Sequence, residues 1–463
     1  MMHHTWNRDR RTSLGLASGA IAVAAFTLLG IARPAMAEGT DDDVLYRVRD
    51  LGTVDGYGHT AGLRISDAGE IVGALYRSPW QEPHAFRWYA GEMTAVGEFG
   101  DADLVEARGV NRHGDLVGWW DLEGEHIRAF MQSRDGVLSE LPLPDGHFAS
   151  IAFDINDSGQ IAGYSQDERG YPHALLIDGD EAIDLGNLGG YYSMSYGISD
   201  AGYVVGKSDN RDREEHAFVW FDGKMYDLGT LGGDYSEARC INDTGQVTGT
   251  STTRSGFSRA FFYENGEMTE IGTLGGLSSY GMDINSQGIA VGYTYDREGK
   301  QCGFIYTKDS GIRNLNDLLE TPRGWSILQA RSINELGQIA AVAERFDGLL
   351  RAVVLSPPGM KLTQPSPGIA GEKNWFGVER ASSKSTVQLY YSYEPGTHKV
   401  IGCSNLTFSI ADPILLATSG TSKWGDSEFL VHIPEKEAGN TIFFQCFDAE
   451  GCRLSPVVVH TFD

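Results

Sequence analysis

The chain has little cysteine: five residues in 463, three of them (Cys403, Cys446 and Cys452) near the end. A disulfide-stapled scaffold along the whole length is therefore excluded. Positive charge is also scarce. Lys and Arg total 37 against 63 Asp and Glu, a formal net charge of −26. Such a surface repels phosphate backbones, which argues against nucleic acid as a partner. Long apolar runs are nearly absent. The single one, Leu14 to Ile31, lies at the N-terminus. No G-x-S-x-G, H-E-x-x-H, P-loop or Rossmann fingerprint occurs, so the common hydrolase, metalloprotease and nucleotide signatures are missing.

The apolar run reads as part of an export signal over residues 1–37. Arg8, Arg10 and Arg11 precede it, and Ala35-Met36-Ala37 supplies a cleavage site after it. No stop-transfer charges follow, so cleavage is expected, with no membrane span left afterwards. Arg10-Arg11 half resembles a twin-arginine signal, but Ser13 stands where an aromatic is usual; both export routes stay open. Residues 1–37 carry a net +3, which leaves the mature chain at −29. The expected location is exported: periplasmic, cell-surface or secreted.

What the chain does have is a repeat. An Ile or Val marks it at 65, 110, 155, 198, 241, 284 and 333, with spacings of 45, 45, 43, 43, 43 and 49. A second marker, at 86, 130, 175, 218, 261, 304 and 353, gives 44, 45, 43, 43, 43 and 49. Two independent markers yield seven units. Each unit holds four strand-like runs. In the fifth these are Ser236–Ile241, Gln246–Thr250, Arg259–Tyr263 and Glu267–Ile271. Asn242-Asp243-Thr244-Gly245 turns the first into the second, and Asn265-Gly266 turns the third into the fourth. Helical periodicity is absent. This predicts an all-β seven-bladed β-propeller over residues 38–358. After the seventh unit comes Ser356-Pro357-Pro358, a poor strand. Tyr46–Gly52 matches the missing fourth strand, so the N-terminal strand is expected to close the last blade. A weaker run at Gly359–Thr363 competes for that slot.

His84-Ala85-Phe86, His216-Ala217-Phe218 and Leu228-Gly229-Thr230-Leu231-Gly232-Gly233 resemble the HAF (His-Ala-Phe) repeats of exported bacterial proteins. The resemblance covers about residues 46–358 and implies architecture and export. It brings no assigned activity. Arg128, Arg259, Cys302 and Arg351 replace the His in other units, so a catalyst or metal ligand shared by all units is excluded. The repeated His or Arg is read as a strand-locking hydrogen bond.

Pro357, Pro358, Pro365 and Pro367 mark a linker, 359–372. Residues 373–463 then alternate as a small antiparallel β-sandwich, with runs at Thr386–Tyr393, Lys399–Ser404, Glu428–Ile433, Thr441–Phe447 and Val457–Phe462. The module resembles fibronectin- or immunoglobulin-like domains. Cys403–Cys452 is the preferred disulfide, and Cys446–Cys452 competes with it.

The Asn-Asp-x-Gly turns are near uniform and suit a structural face. The second-to-third connections vary, and variable loops on a rigid scaffold are where function gathers. Trp80, Trp119, Trp120, Tyr171, Phe257 and Tyr295 are the candidate ligand-binding residues there, joined on the same face by Tyr192 and Tyr235 from the opposite set of loops, because aromatics give contact area at low entropy cost. Asp209, Asn210 and Asp212 form the best Ca²⁺ cluster, but Arg211 and Arg213 interleave, so solvated charge is expected and no cofactor is predicted. No arginine cluster that would clamp a carboxylate can be assigned from the sequence. The expected function is non-catalytic binding of an extracellular glycan or protein. The alternative is a polysaccharide hydrolase or lyase that uses acidic residues at the channel mouth, with Asp154 and Asp283 as candidates.

Overall fold

The computed structural model describes residues 46–462, except 78–82, 97–103, 122–126, 321–323, 358, 360, 363, 367, 380, 382–384, 401–406, 422–426, 449–452 and 456. The export segment, Trp80, Cys403 and Cys452 lie outside the described residues. Among the described residues there is no α-helix, and no helix is long and apolar enough to cross a membrane. The chain divides into two compact units, Glu38–Pro358 and one containing Gly359–Asp463.

The first unit contains seven four-stranded antiparallel ladders. Their first strands are His59–Ile65, Leu104–Val110, His147–Ile155, Gly189–Ile198, Gly232–Ile241, Gly275–Ile284 and Trp325–Ile333. A single parallel bridge, Glu215 to Tyr235, joins the fourth ladder to the fifth. Each ladder follows the repeat unit read from the sequence. The seventh takes its outer strand from the N-terminus: Arg47–Asp50 pairs with Leu350–Ser356. Lys361–Leu362 pairs instead within the second unit, with Lys373–Glu379. The competing run at Gly359–Thr363 therefore does not fill the slot.

Side chains of the repeat tie each sheet to the next. In five turns the Asn side chain donates to a backbone carbonyl of the following sheet: Asn111 to Asn156, Asn156 to Ser199, Asn242 to Asn285, Asn285 to Asn334, and Asn334 to Ser66. The last of these runs from the seventh sheet back to the first. The Ala of His-Ala-Phe donates its N–H to a hydroxyl on the next first strand, as in Ala217 to Ser236 (2.8 Å) and Ala352 to Thr60 (2.8 Å). The Phe is fully buried at Phe86, Phe130, Phe218, Phe261 and Phe304. The His or Arg before it pairs with an acid on the fourth strand: His173 with Asp184, His216 with Asp227, Arg259 with Glu270, Arg128 with Glu140. In the seventh sheet Arg351 faces Asp50 of the N-terminal strand at 4.0 Å. These contacts make the phrase a packing device, because each buried polar group needs a partner.

Every first strand carries a β-bulge at the same place, directly before the residue that precedes the Ile or Val marker. A Gly on the second strand lies opposite it. A Cβ added at Gly249 would collide with the Glu237 carbonyl, and at Gly118 with that of Glu106. The seventh sheet has Ala341 at this position, paired with Ala330. Gly249→Ala is expected to cost about 1–3 kcal/mol, the usual price of overpacking a close contact. Urea unfolding measures it, and an unchanged midpoint would show that the close approach constrains nothing.

The second unit has a three-stranded sheet holding Lys373–Glu379 and Ser427–His432, and a five-stranded sheet built on Thr386–Ser392 and Thr441–Asp448. Phe376, Phe429, Leu389, Phe444 and Phe462 share one core drawn from both sheets. Cys446 is buried in that core as a free thiol, as are Cys240 and Cys302 in the first unit.

Candidate functional site

The bulge re-aims one extra residue per first strand, a use bulges commonly serve near functional sites. Its seven occupants are Leu63, Arg108, Phe153, Tyr196, Arg239, Met282 and Arg331. The residues that follow them are Arg64, Gly109, Asp154, Gly197, Cys240, Asp283 and Ser332. The two sets form successive layers along the seven first strands, each joined across sheets by side-chain contacts.

The second layer is crossed by one ion pair network. Arg64 reaches Asp154 at 2.8 Å and Asp283 at 3.2 Å, on the third and sixth sheets. Asp283 also accepts from Ser332 Oγ (2.6 Å) and Ile333 N (2.9 Å), and Asp154 accepts from Ile198 N (3.1 Å). Burial raises Asp154 to about 6, against the pull of Arg64. Burial opposes the Arg64 charge, but the two carboxylates outweigh it and hold its pKa above the ordinary value. The structure thus brings the two predicted acids together and places an arginine between them. Below this layer a cavity of ≈ 140 Å³ opens to the turns, where Asp67, Asp157, Asp200, Asp243 and Glu335 stand. Most of these carboxylates accept backbone N–H groups from the neighbouring turn, such as Asp157 from Arg112 (2.9 Å) and Asp67 from Glu335 (2.9 Å). They lock turns together, which matches the structural face expected from their uniformity.

The first layer is different in kind. Arg108, Arg239 and Arg331 hold three of its seven places. Arg108 pairs with Glu106 (2.7 Å) and lies over Phe153; Arg239 pairs with Glu237 (2.8 Å) and lies over Tyr196 at 4.5 Å. Two residues before Arg331, where those glutamates stand, is the neutral Gln329. Among the described residues Arg331 has no ion pair, and its Nε is buried without a hydrogen-bond partner. Burial, together with the charges of Arg108 and Arg239, pushes its pKa below the ordinary value. The wall around it is aromatic. Tyr280 stacks on Tyr293 at 4.8 Å, and Phe153 contacts Tyr196 (5.1 Å) and Tyr164 (6.0 Å). This corrects the sequence reading, which found no arginine cluster. The signal was the column two residues before the marker, where Arg recurs in units two, five and seven. It stayed hidden because residues 108, 239 and 331 are far apart in the chain.

The predicted aromatics divide. Trp119 lies in a second strand and donates Nε1 to Glu106 at 3.1 Å, beside this layer. Tyr235 lies under Lys207 at 5.5 Å, and burial and the charge of Glu237 raise its phenol. Tyr192 donates to Glu215, which also holds Lys207 at 2.6 Å. Trp120, its side chain on the other face of the strand, packs against an intersheet core. Tyr171 is exposed and stacks on Tyr191 at 6.0 Å, and Phe257 is exposed under Arg259. Tyr295 is half-buried near the loop of Gly275 and Gly276.

The Ca²⁺ candidates are spoken for. Asp209 is buried and its carboxylate accepts the N–H groups of Tyr191 and Tyr192 at 2.7 Å. Asn210 Oδ1 accepts from Asp212 N (2.8 Å) and Glu214 N (3.1 Å), which closes a turn. The side chains of Asp209 and Asn210 thus hold backbone N–H groups, that of Asp212 among them. His147, His173 and Asp184 do bring one ligand atom each within 4.8 Å of one another. However, His173–Asp184 repeats the strand-locking pair made by Arg259–Glu270, so its geometry has a cause without an ion.

The fold and site define an all-β repeat protein whose distinctive feature is a cluster of arginine and aromatic side chains on its first strands and their neighbours. Residues 145–347, from the third sheet into the seventh, match the family described as "Protein of unknown function (DUF3466)". No curated protein matches the sequence. Among solved structures, a putative TolB from Agrobacterium tumefaciens is 16% identical, covering 58% of this chain and 94% of that one, with a TM-score of 0.38. TolB from Acinetobacter baumannii is 12% identical, covering 63% and 64%, with a TM-score of 0.39. YCF48 bound to D1 peptide is 11% identical, covering 70% and 97%, with a TM-score of 0.39. The chain spans just under two thirds of the Acinetobacter protein. At these values the likenesses bear on neither ligand nor partner.

Proposed function

We propose that the seven sheets form a closed seven-bladed β-propeller, and that the protein is an exported binding protein which takes a glycan or protein ligand at the channel mouth. The mouth in question is the one opposite the Asn-Asp-x-Gly turns. The observation that carries this reading is the arginine layer with its aromatic wall. Unlike the acids of the turns, Arg331 has no ion pair among the described residues and its Nε lacks a hydrogen-bond partner, while stacked rings beside it offer flat contact surface. Ring closure is supported by the bonds from Asn334 to Ser66 and Ala352 to Thr60. Binding is favoured over hydrolysis because Asp154 and Asp283 both serve Arg64. The 373–463 module, of fibronectin- or immunoglobulin-like type in this reading, acts as a spacer or attachment unit.

The test is a glycan-array and pull-down screen with the purified mature protein, then with Tyr293→Ala and Trp119→Ala. Each variant is expected to weaken binding at least tenfold, about 1.4 kcal/mol. Blank screens, or hits that both variants retain at full affinity, would overturn the reading.

A further inference from the structure

The arginine layer carries more than a general binding role. Three cations share it, yet two are already neutralised, Arg108 by Glu106 and Arg239 by Glu237. What remains among the described residues is one guanidinium without an ion pair, Arg331, whose Nε, like that of Arg108, is buried without a hydrogen-bond partner. A site with one spare positive charge suits a monoanion. It does not suit phosphate clusters or dense polyanions, which Glu106, Glu237 and the strongly acidic chain as a whole would repel. The guanidinium fork matches the two oxygens of a carboxylate. Around it, the Tyr280–Tyr293 stack presents ring faces, on which the apolar face of a sugar packs well.

We propose that the channel mouth is a receptor for a single carboxylate-bearing sugar unit, such as a uronate ending an otherwise neutral oligosaccharide, with Arg331 as the residue that takes the carboxylate. This rests on the binding reading above and names its ligand class. A guanidinium whose Nε is buried without a partner is costly in the free protein. The ligand would relieve that cost, so part of its binding energy is stored in the empty site. The same logic separates a binding role for Arg331 from a structural one. A structural arginine, when replaced, destabilises the fold. Arg331 should do the reverse.

The test uses the full mature chain and neutral oligosaccharides carrying one terminal glucuronate. Controls are the same chains with the carboxyl methyl-esterified or reduced to the alcohol. Calorimetry is expected to show binding of the acidic form at least thirtyfold tighter than either control, and weaker binding as salt rises. Arg331→Met should abolish that preference, and Arg331→Lys should restore it in part. Without ligand, Arg331→Met should unfold at a higher urea concentration than the wild type, and ligand should no longer raise its midpoint. Equal binding of acidic and neutral chains, or an acidic preference that survives Arg331→Met, overturns the proposal while leaving the binding reading intact. Binding of acidic peptides alone does the same. If neither glycans nor proteins bind, both fall.

Discussion

Removing the N-terminal strand, by starting the mature chain at Thr53, is expected to abolish cooperative unfolding of the repeat unit. Four residues, Arg47–Asp50, pair with Leu350–Ser356, and beyond the ladder Tyr46 and Leu51 are buried at 4% and 5% exposure. Tyr46 also donates its N–H to Leu318 and accepts from Glu320 N, so it ties the seventh sheet to the chain leaving the sixth. Losing two buried large apolar side chains costs about 1.5–3 kcal/mol each. Losing the outer strand also leaves an open sheet edge. Together these reach the lower end of a typical domain's stability, about 5–15 kcal/mol. Hydrogen exchange and urea unfolding read the effect directly. A synthetic peptide of residues 45–52 added in trans should restore protection in Leu350–Ser356 first. A truncated chain that unfolds like the wild type would show that the seventh sheet does not depend on the N-terminal strand.

The second large effect lies in the ion pair network of Arg64. Arg64→Met strips the counter-charge from Asp154 and Asp283, both nearly fully buried. Breaking a buried pair from one side typically costs about 3–5 kcal/mol, because the remaining charge is stranded. Adding Asp154→Asn and Asp283→Asn to the same chain should recover part of that loss, as expected for residues in one network. A triple variant no more stable than Arg64→Met would mean the arginine acts by packing alone. The pH dependence follows from Asp154. Its folded pKa, about 6, lies above that of an unfolded Asp carboxyl. The stabilisation from its protonated form is therefore fully present below about pH 4 and is lost as pH rises through about 6. Between pH 7 and 5 the wild type should gain stability at this site, and Asp154→Asn should flatten that slope.

The four strands per unit, the turns and the count of seven were legible because each depends on neighbours in sequence. Alternation, Gly at a turn and a repeating marker are local signals. The blandness of His-Ala-Phe was legible too, since Arg128, Arg259 and Arg351 replace its histidine and still meet an acid or a carbonyl. The aromatic candidates were only partly separable. Trp119 and Trp120 are adjacent, but a strand turns them to opposite faces, one to Glu106 and one into a core. Nothing in the pair's composition tells which is which.

Sequence alone determined a repeat of short strands, an acidic chain and uniform turns set against variable connections. Tertiary structure decided which side chains of that repeat meet. A β-bulge is a mismatch between two paired strands, so it has no signature in either strand read singly. It is the bulge that turns Arg108, Arg239 and Arg331 into one layer. That layer depends on side chains from sheets distant in sequence meeting, and charge left unpaired there exists only once the chain has folded.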